Sequence, residues 1–352
     1  MRVLVTGSDG YIGTVLGPYL VERGHDVVGL DTGFYRAGWL YNPGTPAVAT
    51  LTRDVRDLGE ADLEGFEAVV HMAELSNDPL GQLAPDITYD INHHGSVRLA
   101  TAARAAAVER FVYTSSCSVY GRADEELVDE RSPLDPQTAY AICKQRVEAD
   151  VAALAADSFS PTFLRNATAY GASPRMRFDI VVNNLCGLAW TTREIRMESD
   201  GTPWRPLVHV LDICQAVARV LDAPRDVVHN EILNVGDRDA NLQIRDVAEV
   251  VGRVFPDCEV TVGGQSPDER SYRVSFAKIH ELLPEFACDW TVERGAQQLH
   301  DVFAAVGLTG DDFLSRSFTR LKQIEHLLRT EQIDTSFHWR PLVPGAGKPV
   351  PA

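Results

Sequence analysis

The sequence predicts an α/β protein with a doubly wound parallel sheet and a smaller α/β lobe beginning after about residue 171. Three observations carry this. Up to residue 165, short apolar segments alternate with longer amphipathic ones, the rhythm of strands joined by crossover helices. The first strand runs straight into glycines spaced three apart, Gly7, Gly10 and Gly13, with an amphipathic segment behind them. The second strand ends on an acidic residue, Asp31.

Taken in order, residues 2–5 form the first strand, and Thr6-Gly7-Ser8-Asp9-Gly10-Tyr11-Ile12-Gly13 follows at once, with residues 11–22 reading as a helix. Gly7 permits a tight turn, Gly10 lets a pyrophosphate approach the backbone, and Gly13 lets helix and strand pack closely. The helix N-terminus then carries the phosphate charge. This is a Rossmann-type dinucleotide site, with a purely structural strand–turn–helix as the alternative. Residues 25–30 form the second strand. The Asp31 carboxylate at its end is expected to bind the adenosine ribose hydroxyls and repel a 2′-phosphate, which favours NAD over NADP.

A strand near 48–51 precedes Asp54 and Val55, with Asp54 placed to meet the adenine amino group. Residues 68–73 are the next strand and 74–85 a loop. A helix from about 92 to 107 leads into an apolar strand at 111–113, which ends in Thr114-Ser115-Ser116-Cys117-Ser118-Val119-Tyr120-Gly121. A second alanine-rich helix opens at Tyr140, and 161–165 is a further strand. Beyond it the alternation loosens, as it should where substrate-binding insertions begin. Residues 173–177 are a basic patch, 204–210 a strand, 211–221 a helix, 232–235 a strand and 245–254 a helix. Residues 268–273 read as charged and exposed, and 308–329 as an amphipathic helical extension. The stretch 341–352, with four prolines, is expected to be a disordered tail.

Tyr140 and Lys144 are four apart, so a helix sets them on one face with the ammonium one turn from the phenol. A free tyrosine ionises near pH 10, and lowering that by about three units needs roughly 4 kcal/mol of differential stabilisation. Lys144 together with a cationic nicotinamide supplies it in this reading. Ser116, at the end of the preceding strand, is placed to hold the substrate oxygen. The layout suits acid/base oxidation of a secondary alcohol. Tyr-x-x-x-Lys alone arises by chance in many helices, and the upstream nucleotide site gives it meaning.

With 33 Lys+Arg against 50 Asp+Glu, the net charge of −17 opposes general binding to nucleic acid or anionic membrane. A phosphate-bearing ligand must therefore be held by local arginines and backbone amides. Six scattered cysteines without a Cys-x-x-Cys pair indicate free thiols, and the histidines show no metal-ligand spacing, so no metal is expected. His93 and His94, being adjacent, are read as solvent-facing. The first strand leaves no room for a signal peptide, and no apolar run is long enough to span a bilayer. The expected compartment is the cytoplasm.

On these motifs, the chain through about residue 300 resembles the extended short-chain dehydrogenase/reductases, specifically the NAD-dependent nucleotide-sugar epimerase/dehydratase family. Thr6-Gly7-x-x-Gly10-x-x-Gly13 resembles the family's cofactor loop, which brings Asp9, Tyr11 and Ile12 into the expected cofactor set. Asp54-Val55 and His71-Met72-Ala73 resemble its adenine-side and nicotinamide-side strands, and Asn92 its following asparagine. Ser115-Ser116-x-x-Val119-Tyr120-Gly121 and Tyr140-x-x-x-Lys144 are similar to its catalytic motifs. Arg205 matches the arginine that pairs with the nucleotide diphosphate, and Asn184-Leu185 and Arg270 resemble further nucleotide contacts. The resemblance implies a nucleotide-binding domain of residues 1–171 plus about 206–240, and a nucleotide-sugar lobe of about 172–205 plus 241–305. A helical extension (306–340) and the tail follow. It also implies a homodimer through the alanine-rich helices near 92–107 and 140–156, although helix propensity explains those alanines nearly as well.

The departures bear on mechanism. Family dehydratases carry an acidic residue two places before the tyrosine at position 120, and here that residue is Ser118. A serine without an adjacent base cannot usefully abstract a carbon-bound proton. Cys117 resembles the proton-shuttling cysteine of nucleotide-sugar 3,5-epimerase/reductases but sits one residue farther from that tyrosine, so a buried thiol is the expected reading. Glu74 stands where the family usually has alanine, and Thr168 where many members have asparagine. The expected activity is NAD-dependent epimerisation of a nucleotide-diphosphate sugar at C4. The alternatives are a keto-sugar reductase, a 4,6-dehydratase, or a catalytically silent NAD-sensing protein.

Overall fold

The computed structural model describes residues 1–45, 48–76, 81, 84–263 and 270–341, apart from the side chains of 124–126. Parts of the 74–85 loop, Asp268, Glu269 and tail residues 342–352 lie outside the described residues. Seven parallel strands form the main sheet: β1 (Arg2–Thr6), β2 (Asp26–Asp31), β3 (Thr50–Thr52), β4 (Ala68–His71), β5 (Arg110–Ser116), β7 (Ser160–Asn166) and β11 (Glu231–Val235). Their spatial order is β11-β7-β5-β4-β1-β2-β3. Every residue of β4 and β7 is buried, as expected for parallel strands covered on both faces.

Helices α1 (Gly13–Glu22) and α5 (Val210–Asp222) cover one face, where Leu16, Leu20, Val217 and Val220 pack on Val3, Val5 and Val112. Helices α2 (Ser96–Ala105) and α3 (Ala139–Ala152) cover the other, with Leu99, Ala103, Val147 and Val151 packed on Leu4, Phe111 and Phe163. The expected helix near 92–107 differs at its start, because Tyr89–Gly95 forms wider π-helical turns before α2 begins. There His94 is exposed as expected, whereas the His93 ring is largely covered and meets Asp150 at 2.6 Å.

Beside the sheet, α4 (Val181–Thr192), α6 (Ile244–Val254) and α7 (Val292–Val306) share a separate core that includes Leu185, Val247 and Leu299. Strands β9 (Glu194–Met197) and β13 (Glu259–Val262) pair in parallel at its edge. The expected strand at 204–210 is present as β10 (Trp204–His209), yet it joins a three-stranded sheet with β8 (Thr168–Tyr170) and β12 (Asn241–Gln243). The stretch expected to be exposed at 268–273 contains β14 (Ser271–Val274), which buries Tyr272 and pairs with β6 (Arg122–Val128), a strand the sequence pattern does not reveal. The C-terminal extension is also broken into pieces. Gly310–Leu314 and Arg316–Phe318 precede α8 (Arg320–Arg329), because Thr309 and Ser315 each accept a backbone N–H and restart the chain at a new angle.

Candidate active site

The candidate residues cluster where the sheet leaves them no other place to go. In a parallel sheet all strand C-termini lie along one edge, and a crevice opens where the winding reverses, here between β1 and β4. A cleft of about 1210 Å³ fills that crevice and extends over the smaller lobe. Single-ligand pockets run to about 1,000 Å³, so this cleft exceeds that range.

One wall is built for a dinucleotide. Gly7, Gly10, Tyr11, Ile12 and Gly13 line it, together with Asp31, Asp54, Val55, Met72 and Ala73. Gly7 has φ +74°, and a Cβ on Gly13 would lie 2.2 Å from the Gly7 carbonyl oxygen, so the turn excludes larger residues at both positions. The Asp31 carboxylate accepts the Gly33 amide at 2.7 Å and the Asp9 amide at 3.2 Å. Burial pushes its pKa up, and these amides oppose that. Thr6 Oγ1 accepts the Met72 and Ala73 amides at 3.1 and 3.2 Å, which fixes the end of β4 against the glycine loop.

Three expected cofactor residues are engaged differently. The Asp9 side chain lies outside the cleft lining and pairs with Arg36 at 2.8 Å. Asn92 is fully buried and also outside the lining; it donates to the Leu75 carbonyl at 3.0 Å and accepts the Leu75 amide at 2.8 Å. Its role is to shape the chain that leaves β4, whose backbone groups would otherwise be unpaired. Asp54 lines the cleft while its carboxylate is gripped by the Arg56 guanidinium at 2.8 and 3.0 Å.

The residues expected to carry the chemistry lie beside that wall. Ser116 ends β5, and its Oγ accepts the Ser118 amide at 3.2 Å, capping the 3₁₀ turn Cys117–Tyr120. Thr138 caps α3 through the Ala141 amide, placing Tyr140 in the first turn and Lys144 one turn later. Ser116, Tyr140 and Lys144 all line the cleft, with the Lys144 ammonium 5.3 Å from the Tyr140 ring centroid. Lys144 donates to the Thr114 carbonyl at 2.5 Å and pairs with Glu74 at 2.7 Å, while the Tyr113 hydroxyl donates to Glu74 at 2.6 Å. Burial by itself would lower the Lys144 pKa, but the Glu74 carboxylate reverses this and raises it, so the ammonium persists. Burial pushes the Glu74 carboxyl up and Lys144 holds it down.

Cys117 points to the core, as expected, although the cause is the 3₁₀ turn and not strand alternation. Its thiol donates to the Arg165 carbonyl at 3.1 Å, and burial pushes its pKa up. Ser118 occupies the cleft wall.

The opposite wall carries Thr168, Asn184, Leu185, Arg205 and Arg270. Asn184 Nδ2 donates to the Phe178 carbonyl at 2.8 Å, which orients the first turn of α4. Arg205 donates to the Trp204 carbonyl at 2.9 Å and to that of Arg270, tying two expected substrate contacts together. Other lining residues, such as Arg177, Arg320 and Lys322, are not among the expected site residues. Arg177 belongs to the basic patch at 173–177, whose other arginine, Arg175, turns inward to the Gly38 and Ser317 carbonyls. Arg320 and Lys322 come from the C-terminal extension.

The glycine cradle, the amide-bound Asp31 and the cleft that Asp54, Met72 and Ala73 also line fit a dinucleotide. Comparison with known proteins agrees. Residues 3–236 match the model of the NAD dependent epimerase/dehydratase family. The chain is 30% identical over 272 residues to a UDP-glucose 4-epimerase of Corynebacterium glutamicum, spanning 72% of this chain and 80% of that protein. The solved structure of an NAD-dependent NDP-hexosamine 5,6-dehydratase of tunicamycin biosynthesis is 27% identical, with a TM-score of 0.77 over 86% of this chain and 98% of that one. That of MoeE5 with UDP-glucose and NAD is 25% identical, with a TM-score of 0.75 over 88% and 100%. The chain therefore belongs to the NAD-dependent epimerase/dehydratase family, and NAD is its cofactor.

Proposed function

We propose that the protein epimerises a nucleotide-diphosphate sugar at C4 through a keto-sugar intermediate. The observation that carries this is the meeting of Ser116, Tyr140 and Lys144 on one cleft wall, with Ser118 where an eliminating enzyme would need a base. The likeness to a UDP-glucose 4-epimerase and to a structure holding UDP-glucose supports the substrate class. NAD, when bound, accepts hydride from a carbinol carbon and returns it. Tyr140 as phenolate takes the hydroxyl proton, with the Lys144 charge favouring that state. Ser116 hydrogen-bonds the reacting oxygen. Arg205 and Arg270 hold the diphosphate while the keto-sugar turns its other face, and Tyr140 then returns the proton.

Elimination is the second reading, favoured by the 5,6-dehydratase neighbour and by Glu74, a carboxylate in the same wall. Glu74 is already committed to Lys144 and Tyr113, which weakens its claim as a free base. The test is NMR of purified protein with a panel of sugar nucleotides and no added NAD. Inversion at C4 supports epimerisation; loss of water points to a dehydratase, and turnover only with stoichiometric reduced cofactor points to a reductase. Tyr140→Phe should lower turnover by roughly 10²–10⁴-fold. Full turnover in that variant would sink the assignment. The proposed assembly is a homodimer through α2 and α3, and a monomer mass by light scattering would overturn it.

A further inference from the structure

The C-terminal extension reaches back over the cofactor half of the cleft. Ile324, Leu327, Ile333 and Phe337 pack on Phe34, Leu75 and Ile91, residues that follow or flank the dinucleotide wall. Gln323 donates to the Phe34 carbonyl at 2.9 Å, and the Trp339 indole donates to the Thr32 carbonyl at 2.6 Å. Arg56, the residue gripping Asp54, also donates to the Ser336 carbonyl at 2.9 Å. The consequence is that Thr319, Arg320 and Lys322 line the same cleft as the glycine loop.

Arg320 has a tyrosine hydroxyl but no carboxylate as its partner there. Its guanidinium lies 4.6 Å over the Tyr35 ring, and its Nε is buried without an acceptor. Arg36 and Arg177 pair with Asp9 and Asp179, but Arg320 has no carboxylate within ion-pair distance among the described residues. Arg177 and Arg175 add further positive charge nearby. Burial and Arg177 both lower the Arg320 pKa, and Tyr35 and the more distant Asp179 offset only part of this. Crowding partly buried guanidinium groups together is unfavourable unless an anion joins them. The anion that α1 invites into this cleft is a pyrophosphate at its N-terminus, and a guanidinium fork suits phosphate oxygens. Tyr35 follows Asp31 in the chain, so Arg320 stands on the dinucleotide side, whereas Arg205 and Arg270 serve the opposite wall.

We infer that Arg320 is a cofactor-binding residue, through which the C-terminal extension clasps the NAD pyrophosphate and slows its release. The experiment uses full-length protein and reads cofactor, not turnover. NAD retained per chain is quantified after denaturation, and exchange against isotopically labelled NAD is timed by mass spectrometry. Arg320→Gln should exchange NAD at least about 10-fold faster, the loss expected for a charge-assisted hydrogen bond, with UDP affinity unchanged. Exchange within twofold of the unaltered protein, or a loss of UDP affinity without faster NAD exchange, overturns the inference. Should Arg320→Gln fold poorly, phenylglyoxal labelling of the unaltered protein after NAD removal gives a second reading. NAD should protect Arg320 from modification and UDP should not; the reverse pattern, or protection by neither, rejects the assignment.

Discussion

Two buried ion pairs stand one helical turn apart on α3, and their roles differ. Glu148 accepts from Arg165 at 2.6 and 3.0 Å and from Ser115 at 2.5 Å, while Arg165 also donates to Tyr120, which in turn donates to Asn234. Neither Glu148 nor Arg165 lines the cleft. Lys144 and Glu74 are as well covered, at 3% and 1% side-chain exposure, yet both border the cleft. A network satisfied on all sides holds the backs of β5 and β7 in register. A pair that borders a ligand site keeps a charge ready for the ligand. Burial is therefore a poor guide to role; what the last lone pair or proton faces is a better one.

Three substitutions probe this division between a closed pair and an open one. The largest effect is expected at Arg165. Arg165→Met leaves Glu148 buried and unpaired, so unfolding free energy should fall by about 3–5 kcal/mol in urea titrations. A loss below about 1 kcal/mol would remove the closed network as a structural element.

The next concerns His71, which bonds Thr6 and Ser96 beneath the open pair. Burial, with a further push from Lys144, lowers its pKa to about 3. The unfolded chain binds this proton near pH 6.5 and the native protein does not, so stability is full above pH 6.5 and falls as pH drops towards 3. Between pH 6.5 and 5 the loss is about 1.6 kcal/mol. His71→Gln should flatten that part of the stability profile, and an identical slope in both proteins would show that His71 is not the titrating group.

The smallest effect on stability, and the most telling for function, is expected at Glu74. Glu74→Gln keeps a hydrogen-bonding group beside Lys144 but removes the negative charge. Lys144 retains the Thr114 carbonyl, so stability should fall less than in Arg165→Met. The Tyr140 charge also raises the Lys144 pKa, so the ammonium is kept without Glu74. With one anion fewer nearby, the Tyr140 phenolate is favoured, and the acid limb of the kcat/KM profile should move down by about one pH unit. An upward shift, or none, would mean that Glu74 does not set the charge at Tyr140.

Much of this site is legible in the sequence, and the illegible parts share a cause. The glycine spacing, Asp31, and the Tyr140–Lys144 pair are local statements about a turn, a strand end and a helix face, and backbone geometry translates them directly. Asn92 fits the family's motif, but its side chain bonds Leu75, a partner 17 positions away that no local pattern names. The 3₁₀ turn at 117–120 escapes the apolar strand pattern because one hydroxyl, Ser116, overrides it. The extension reads as continuous because its apolar periodicity masks the stop signal at Ser315.

The alternation that gives the fold class, the glycine loop and the shared helix face of Tyr140 and Lys144 are thus written in the chain itself, since each is a pattern of near neighbours along it. Packing in three dimensions brings Glu74 to Lys144 across 70 positions and turns Arg175 onto Ser317 while Arg177 faces the cleft. It also returns Arg320 to the cofactor wall nearly 290 positions after Asp31. Those meetings depend on how loops close and which apolar faces cover one another, and such long-range packing leaves no periodic trace along the chain.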